Sequence, residues 1–269
     1  MPLIVSTDHT QVTLFGSKSA YPVYLTIGNI PKDIHWKPSR HAHILLAYLP
    51  NTKLKHITNT ASHCHTLTNL FHACMARILE PLRNAGINGI IMKDGNGIQC
   101  RVHPILAIFI GDYPEQVLVM GTKTGECLKC NIVPEKLGSI DAPYSLQNLQ
   151  QTCGVLCLVD MDTATFRMAC KTAHIKPIYH PFWEQLPYVN IYQAMSPDIL
   201  HQLHQGVFKH LLSWMTKAYG AVELDARSWQ QLPNHHIRIF TNGITGLSRV
   251  TGKEHDLMCR MLLGLIVSA

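Results

Sequence analysis

The chain has 269 residues, of which 46% are hydrophobic, enough to bury a core in one large domain or in one domain with an insertion. Lys and Arg number 23 against 17 Asp and Glu, a net charge of +6 that is compatible with an anionic partner and does not by itself establish one. Nine scattered cysteines argue against a secreted disulfide framework, and the sequence offers neither a signal peptide nor the roughly 18 unbroken apolar residues of a membrane span.

In chain order, residues 2–7 (PLIVST) read as a buried strand running into Asp8, and 21–28 (YPVYLTIG) as a second strand rich in aromatic and β-branched residues. Residues 43–49 (HILLAYL) form a third apolar run. Gly16 and Ser17 can turn between the first two runs and Pro31 to Pro38 is loop, so an antiparallel meander is expected. Over 64–83, Leu67, Leu70, Phe71, Cys74, Met75, Ile78, Leu79 and Leu82 recur at three- and four-residue steps and predict an amphipathic helix. A short run from Ile87 to Met92 and a turn at Asp94, Gly95, Asn96 and Gly97 follow. The next strand, 104–111 (PILAIFIG), delivers Asp112.

Beyond Gly121 the character changes. Residues 122–157 mix a CxxC with turn residues, 163–174 predict a helix, and the prolines and aromatics of 177–197 predict an ordered, irregular segment. Asp198 opens a helix over 198–219, with Pro197 before it and Gly220 after it. Residues 257–269 (LMCRMLLGLIVSA) read as a helix still in progress, as expected for a piece or a truncated copy of a longer protein. The predicted fold class is α/β: an RNase H-like core, a mixed sheet flanked by helices, interrupted by a largely helical insertion. The expected boundaries are 1–120 for the first part of the core, 121–240 for the insertion with the CxxC, and 241–269 for a final catalytic helix region.

Two acids stand at predicted strand ends, Asp8 and Asp112. Carboxylates on adjacent strands, joined by a third on a helix, can hold two Mg2+ ions about 3.5–4 Å apart. Either residue taken alone is also an ordinary turn-starting Asp. Glu254, in GKEHDLMCR, is the third acid by position; taken alone it is a first-turn acid favoured by the helix dipole. Asp256 is its rival, and the apolar stripe of Leu257, Met258, Met261, Leu262 and Leu265 puts Glu254 on the core-facing side.

Cys127 and Cys130, in GECLKCN, have the spacing by which two thiolates grip one tetrahedral Zn2+; a redox pair is the alternative. The second ligand pair is sought among His201 and His204, which share a helix face, and His235 and His236, which are adjacent.

Four stretches read together resemble the Plavaka transposases, fungal elements of the CACTA, Mirage and Chapaev superfamily. They are STDHTQVTLFGSKSAYPVYLTIGNIPK, IFIGDYPEQVLVMGTKTGECLKCN, HPFWEQLPYVNIYQAMSPDILHQLHQGVFKHLL and GITGLSRVTGKEHDLMCRMLLG. The resemblance implies a DDE catalytic core with Asp8, Asp112 and Glu254 as the acids, using Mg2+ or Mn2+ to cleave and join transposon ends. It implies zinc on Cys127 and Cys130, with His201 and His235 as partners in a pattern that this sequence matches less closely. It further implies DNA as partner (transposon ends and target), compatibility with a homo-oligomer, no membrane, and a nuclear protein. The other reading is a catalytically inactive, decayed or domesticated fragment that keeps the fold and binds DNA or protein.

Overall fold

The computed structural model of the chain describes residues 1–13, 18–140, 144–230, 240–248 and 250–267. It divides into two compact units, Met1–Ser196 and Pro197–Ala269. The expected turn at Gly16 and Ser17 lies outside the described residues, as do His235 and His236.

The first unit begins with β1 (Pro2–Thr7), in which Leu3, Val5 and Thr7 point inward by the two-residue period of a strand. A two-residue pair, β2 (Thr10–Gln11) and β3 (Ser19–Ala20), precedes β4 (Pro22–Ile27). After α1 (Lys32–His35) comes β5 (Ile44–Tyr48). The strands at 2–7, 21–28 and 43–49 therefore form, and they pair as an antiparallel meander: Val5 opposes Leu25, and Val23 opposes Ala47.

Helix α2 runs Thr60–Asn88, longer at both ends than the apolar periodicity alone indicates. Asn59 starts it by accepting from the backbone N–H of Ser62, and Gly89, at φ 71°, ends it. Its buried face, with Phe71, Met75 and Leu79, packs in one core with Val5, Val23 and Phe109 of the sheet. A hairpin of β6 (Ile90–Lys93) and β7 (Gln99–Val102) then leads into β8 (Ile105–Ile110). β8 returns beside β1 and parallel to it, giving the sheet order β5-β4-β1-β8. On the far side of β8, Met195 makes a further parallel bridge to Phe109, and the N–H of Ser196 donates to the Phe109 carbonyl at 2.9 Å.

The described residues of this unit further include the α-helices α3 (Tyr113–Met120), α4 (Leu149–Leu156), α5 (Thr163–Thr172) and α6 (Ile191–Ala194). Leu156, Phe166, Phe182 and Tyr192 join the same core as the sheet, so residues after Gly121 share its apolar interior. The chain is thus mixed α/β, with a mixed sheet and flanking helices.

The second unit opens with π-helical turns over Ile199–Phe208 that run into α7 (Lys209–Tyr219). Helices α8 (Ala221–Trp229) and α9 (Gly252–Val267) follow, the latter starting five residues before the run at 257–269. Phe208, Leu224, Phe240, Leu257, Met258 and Leu265 form its core.

Candidate active site

Asp8 and Asp112 stand beyond the C-terminal ends of neighbouring parallel strands. The β1–β8 register pairs Ser6 with Ile110, and each acid lies two residues further along its own strand. Asp8 is exposed, its Oδ2 accepting from the Thr10 hydroxyl at 2.7 Å. Asp112 is half-buried and caps α3: its Oδ1 accepts from the backbone N–H of Glu115 at 2.9 Å. It is therefore a helix cap as well as a strand-end acid.

A third carboxylate lies beside them that the sequence reading passed over. Glu115, in the first turn of α3, is only 6% exposed. Its Oε2 accepts from the Thr7 hydroxyl at 2.8 Å and its Oε1 from the Tyr21 hydroxyl at 2.5 Å. Burial pushes the Glu115 carboxyl above its ordinary value; the hydrogen bonds from Tyr21 and Thr7 act against this, and the charges of Asp112 and Asp8 add to it. Tyr21 is raised too, first by burial, then by Glu115, with Asp112 and Asp8 contributing. The four groups share one electrostatic neighbourhood, and Tyr21 and Glu115 also line a cavity of about 280 Å³. The signal for Glu115 in the sequence was its place three residues after a capping Asp, inside an apolar helical turn.

Glu254 belongs to the second unit. Its Oε2 accepts from the Thr251 backbone N–H and hydroxyl, both at 2.9 Å, and its own N–H donates to the Thr251 hydroxyl at 3.3 Å. That reciprocal pair is a capping box, which starts α9. Asp256 forms an ion pair with Arg260 at 2.8 Å. Leu257, Met258, Met261 and Leu265 are buried, as the apolar stripe requires.

Cys127 and Cys130 are both free thiols, partly buried, with their sulfurs 3.1 Å apart. A Zn2+ ion bonded at about 2.3 Å in tetrahedral geometry holds two thiolates about 3.7 Å apart, so the pair fits half of such a site after a small outward movement. The Cys130 backbone N–H points at the Cys127 sulfur at 3.4 Å. Burial pushes the Cys127 thiol up, but hydrogen bonds from Cys130 and from the backbone at Lys129 and Cys130 leave it below the usual thiol value. Glu126 and His174, joined at 2.8 Å, line a cleft of about 250 Å³ together with Cys130.

Among the sought histidines, His201 is held by Asp198, its Nδ1 2.7 Å from Oδ2 in the first turn of the π-helical segment. His204 stacks on His255, ring centroids 6.2 Å apart. Among the described residues, no group of three or more His, Cys, Asp or Glu side chains is arranged to hold a metal ion. Asp8 and Asp112 offer two carboxylates beyond the ends of β1 and β8, and Mg2+ commonly takes only one or two carboxylates with water and phosphate oxygens.

No described helix is long and apolar enough to cross a membrane. A family model described as Plavaka transposase matches residues 1–215. No curated protein and no solved structure matches the chain.

Proposed function

The chain belongs to the Plavaka transposase family, and from that membership we propose that it is the catalytic core of a DDE transposase acting on DNA in the nucleus. The carrying observation is the pair of acids at equivalent positions beyond two neighbouring parallel strands. Support for an RNase H-like core comes from the sheet, in which a three-strand antiparallel meander is extended on the side of its first strand by a parallel strand and then by the Met195 bridge.

In this reading Asp8 and Asp112 are two of the Mg2+ ligands, and Glu254 is the third by resemblance. When bound, the ions lower the pKa of an attacking water or 3′-hydroxyl and offset charge on the leaving oxygen. The chain's part is to hold the acids on rigid strand ends, so that little reorganisation is needed when phosphate arrives. Cys127 and Cys130 supply two thiolates to a structural Zn2+, with His201, His235 and His174 as the histidines to be tested for the remaining places.

The test is Mg2+- or Mn2+-dependent cleavage of DNA carrying the ends of the element that encodes the chain. Asp8→Asn, Asp112→Asn and Glu254→Gln should each abolish cleavage while DNA binding persists; Asp256→Asn should be far milder. Unchanged cleavage in Asp112→Asn would reject the reading. The second reading, a fold that binds DNA without cleaving it, is favoured by the capping roles of Asp112 and Glu254. Binding without cleavage by the wild-type chain would select it.

A further inference from the structure

We propose that Glu115 is a positioning residue for the two strand-end acids, its carboxyl group clamping the end of β1, beside Asp8, to the start of α3, which carries Asp112. The proposal rests on the reading of Asp8 and Asp112 as metal-binding acids.

A carboxylate buried next to two others is an unfavourable choice for a residue with only a packing role, because a charge taken out of water without a cation beside it loses its hydration uncompensated. Glu115 has no Lys or Arg partner among the described residues; its partners are two hydroxyls. The choice makes sense for an acceptor-only group with two oxygens, which can take both O–H donors at once where an apolar side chain could take neither.

The connections place that group between the acids. Thr7 is the residue before Asp8, and it donates to Oε2. Glu115 is three residues after Asp112, and its backbone N–H is the donor that Asp112 caps. Tyr21, at the entry to β4, donates to Oε1 and is itself fixed by stacking on Phe71 of α2, ring centroids 6.1 Å apart. One carboxyl group therefore ties β1, the approach to β4 and the N-terminus of α3 together at the end of the sheet where Asp8 and Asp112 emerge. Two acids that repel each other before a cation arrives need such a tie to keep their spacing.

The clamp can be tested without substituting any of the three acids. Tyr21→Phe keeps the ring and Thr7→Val keeps the shape, so the pair removes only the two donors. The probe is Mn2+ alone, titrated into the full 269-residue chain and followed by the electron paramagnetic resonance of the free ion. The thermal midpoint of each variant is recorded alongside. The double variant should bind Mn2+ about 10-fold more weakly than wild type, the low end of what loss of a ligand-supporting hydrogen bond costs. If the double variant does not fold, Tyr21→Phe alone should give the same direction with a smaller loss. Mn2+ affinity equal to wild type, with only the melting temperature lowered, would mean that Glu115 merely stabilises the fold and would overturn the proposal. Asp112→Asn separates the two levels. If it binds Mn2+ as wild type does, or if wild type takes up none, the reading of the acids fails and the clamp with it. If Asp112→Asn abolishes uptake while the donor variants leave it unchanged, the clamp alone fails.

Discussion

At the scale of the residue, His72 shows how burial fixes a proton. Its ring is fully buried in α2 against Phe182, with centroids 5.6 Å apart. Nε2–H donates to the Leu118 carbonyl at 3.0 Å, and Nδ1 accepts from the Phe182 backbone N–H at 3.4 Å. Burial lowers its pKa from 6.5 to about 4; the Leu118 carbonyl opposes this and the charge of Lys176 adds to it. The unfolded chain thus takes a proton on this ring at higher pH than the folded one. The stability contribution is full above about pH 6.5 and is lost as pH falls from there towards about 4, on the order of 3 kcal/mol in all. Guanidinium unfolding at pH 7 and pH 4.5 should show the wild type losing about 2 kcal/mol more than His72→Gln over that interval. Equal losses would mean that the neutral ring is not what folding selects.

At the scale of the element, the knuckle from Glu126 to Asn131 and helix α3 show different degrees of legibility. The two-residue spacing of Cys127 and Cys130 needs no tertiary information, because four residues of chain suffice to bring both sulfurs together. Metal analysis of protein made under reducing conditions should give about one zinc per chain, lost on Cys127→Ser plus Cys130→Ser and with a lowered melting temperature. Stoichiometric absence of zinc in the wild type would leave the pair as plain thiols. Helix α3 lies between the strand expected at 104–111 and the change of character beyond Gly121, where no element is expected from the sequence, although Asp112, Pro114 and Gly121 are a cap, an early helical proline and a left-handed stop. Its eight residues are too few for periodicity to stand out, and only the cap geometry marks it. Helix α2 is the opposite case: its apolar face is long enough to be read directly, yet its ends are set by Asn59 and Gly89 and not by the apolar spacing.

At the scale of the whole molecule, two apolar cores can be distinguished, one within Met1–Ser196 and the other within Pro197–Ala269. The residues from Leu128 to Met195 contribute to the first core with the sheet, so they are needed for its completion. Residues 1–196 produced alone should therefore unfold in one cooperative transition and retain near-ultraviolet circular dichroism from Trp183 and Tyr192, both buried there. A non-cooperative melt without near-ultraviolet signal would show that the first unit depends on the rest of the chain.

By itself the sequence determined the local pieces: strands near 2–7, 21–28, 43–49 and 104–111, the long helix, the CxxC, and the placing of Asp8 and Asp112 just past apolar strands. Those follow from periodicity, turn residues and short spacings, which act over a few residues of chain. Three of the four motifs that resemble the family lie within residues 1–215, which the family model matches. What only the tertiary structure decided is which pieces meet. The parallel pairing of β1 with β8, the joining of Thr7 to Glu115 across 108 residues and of Tyr21 to Glu115 across 94 have no local signature. The same holds for a buried acid, because a Glu in a helical turn reads as solvent-facing until the sheet closes over it. Burial of apolar faces brings those distant segments together, and the hydroxyls that satisfy Glu115 reach it only as a consequence.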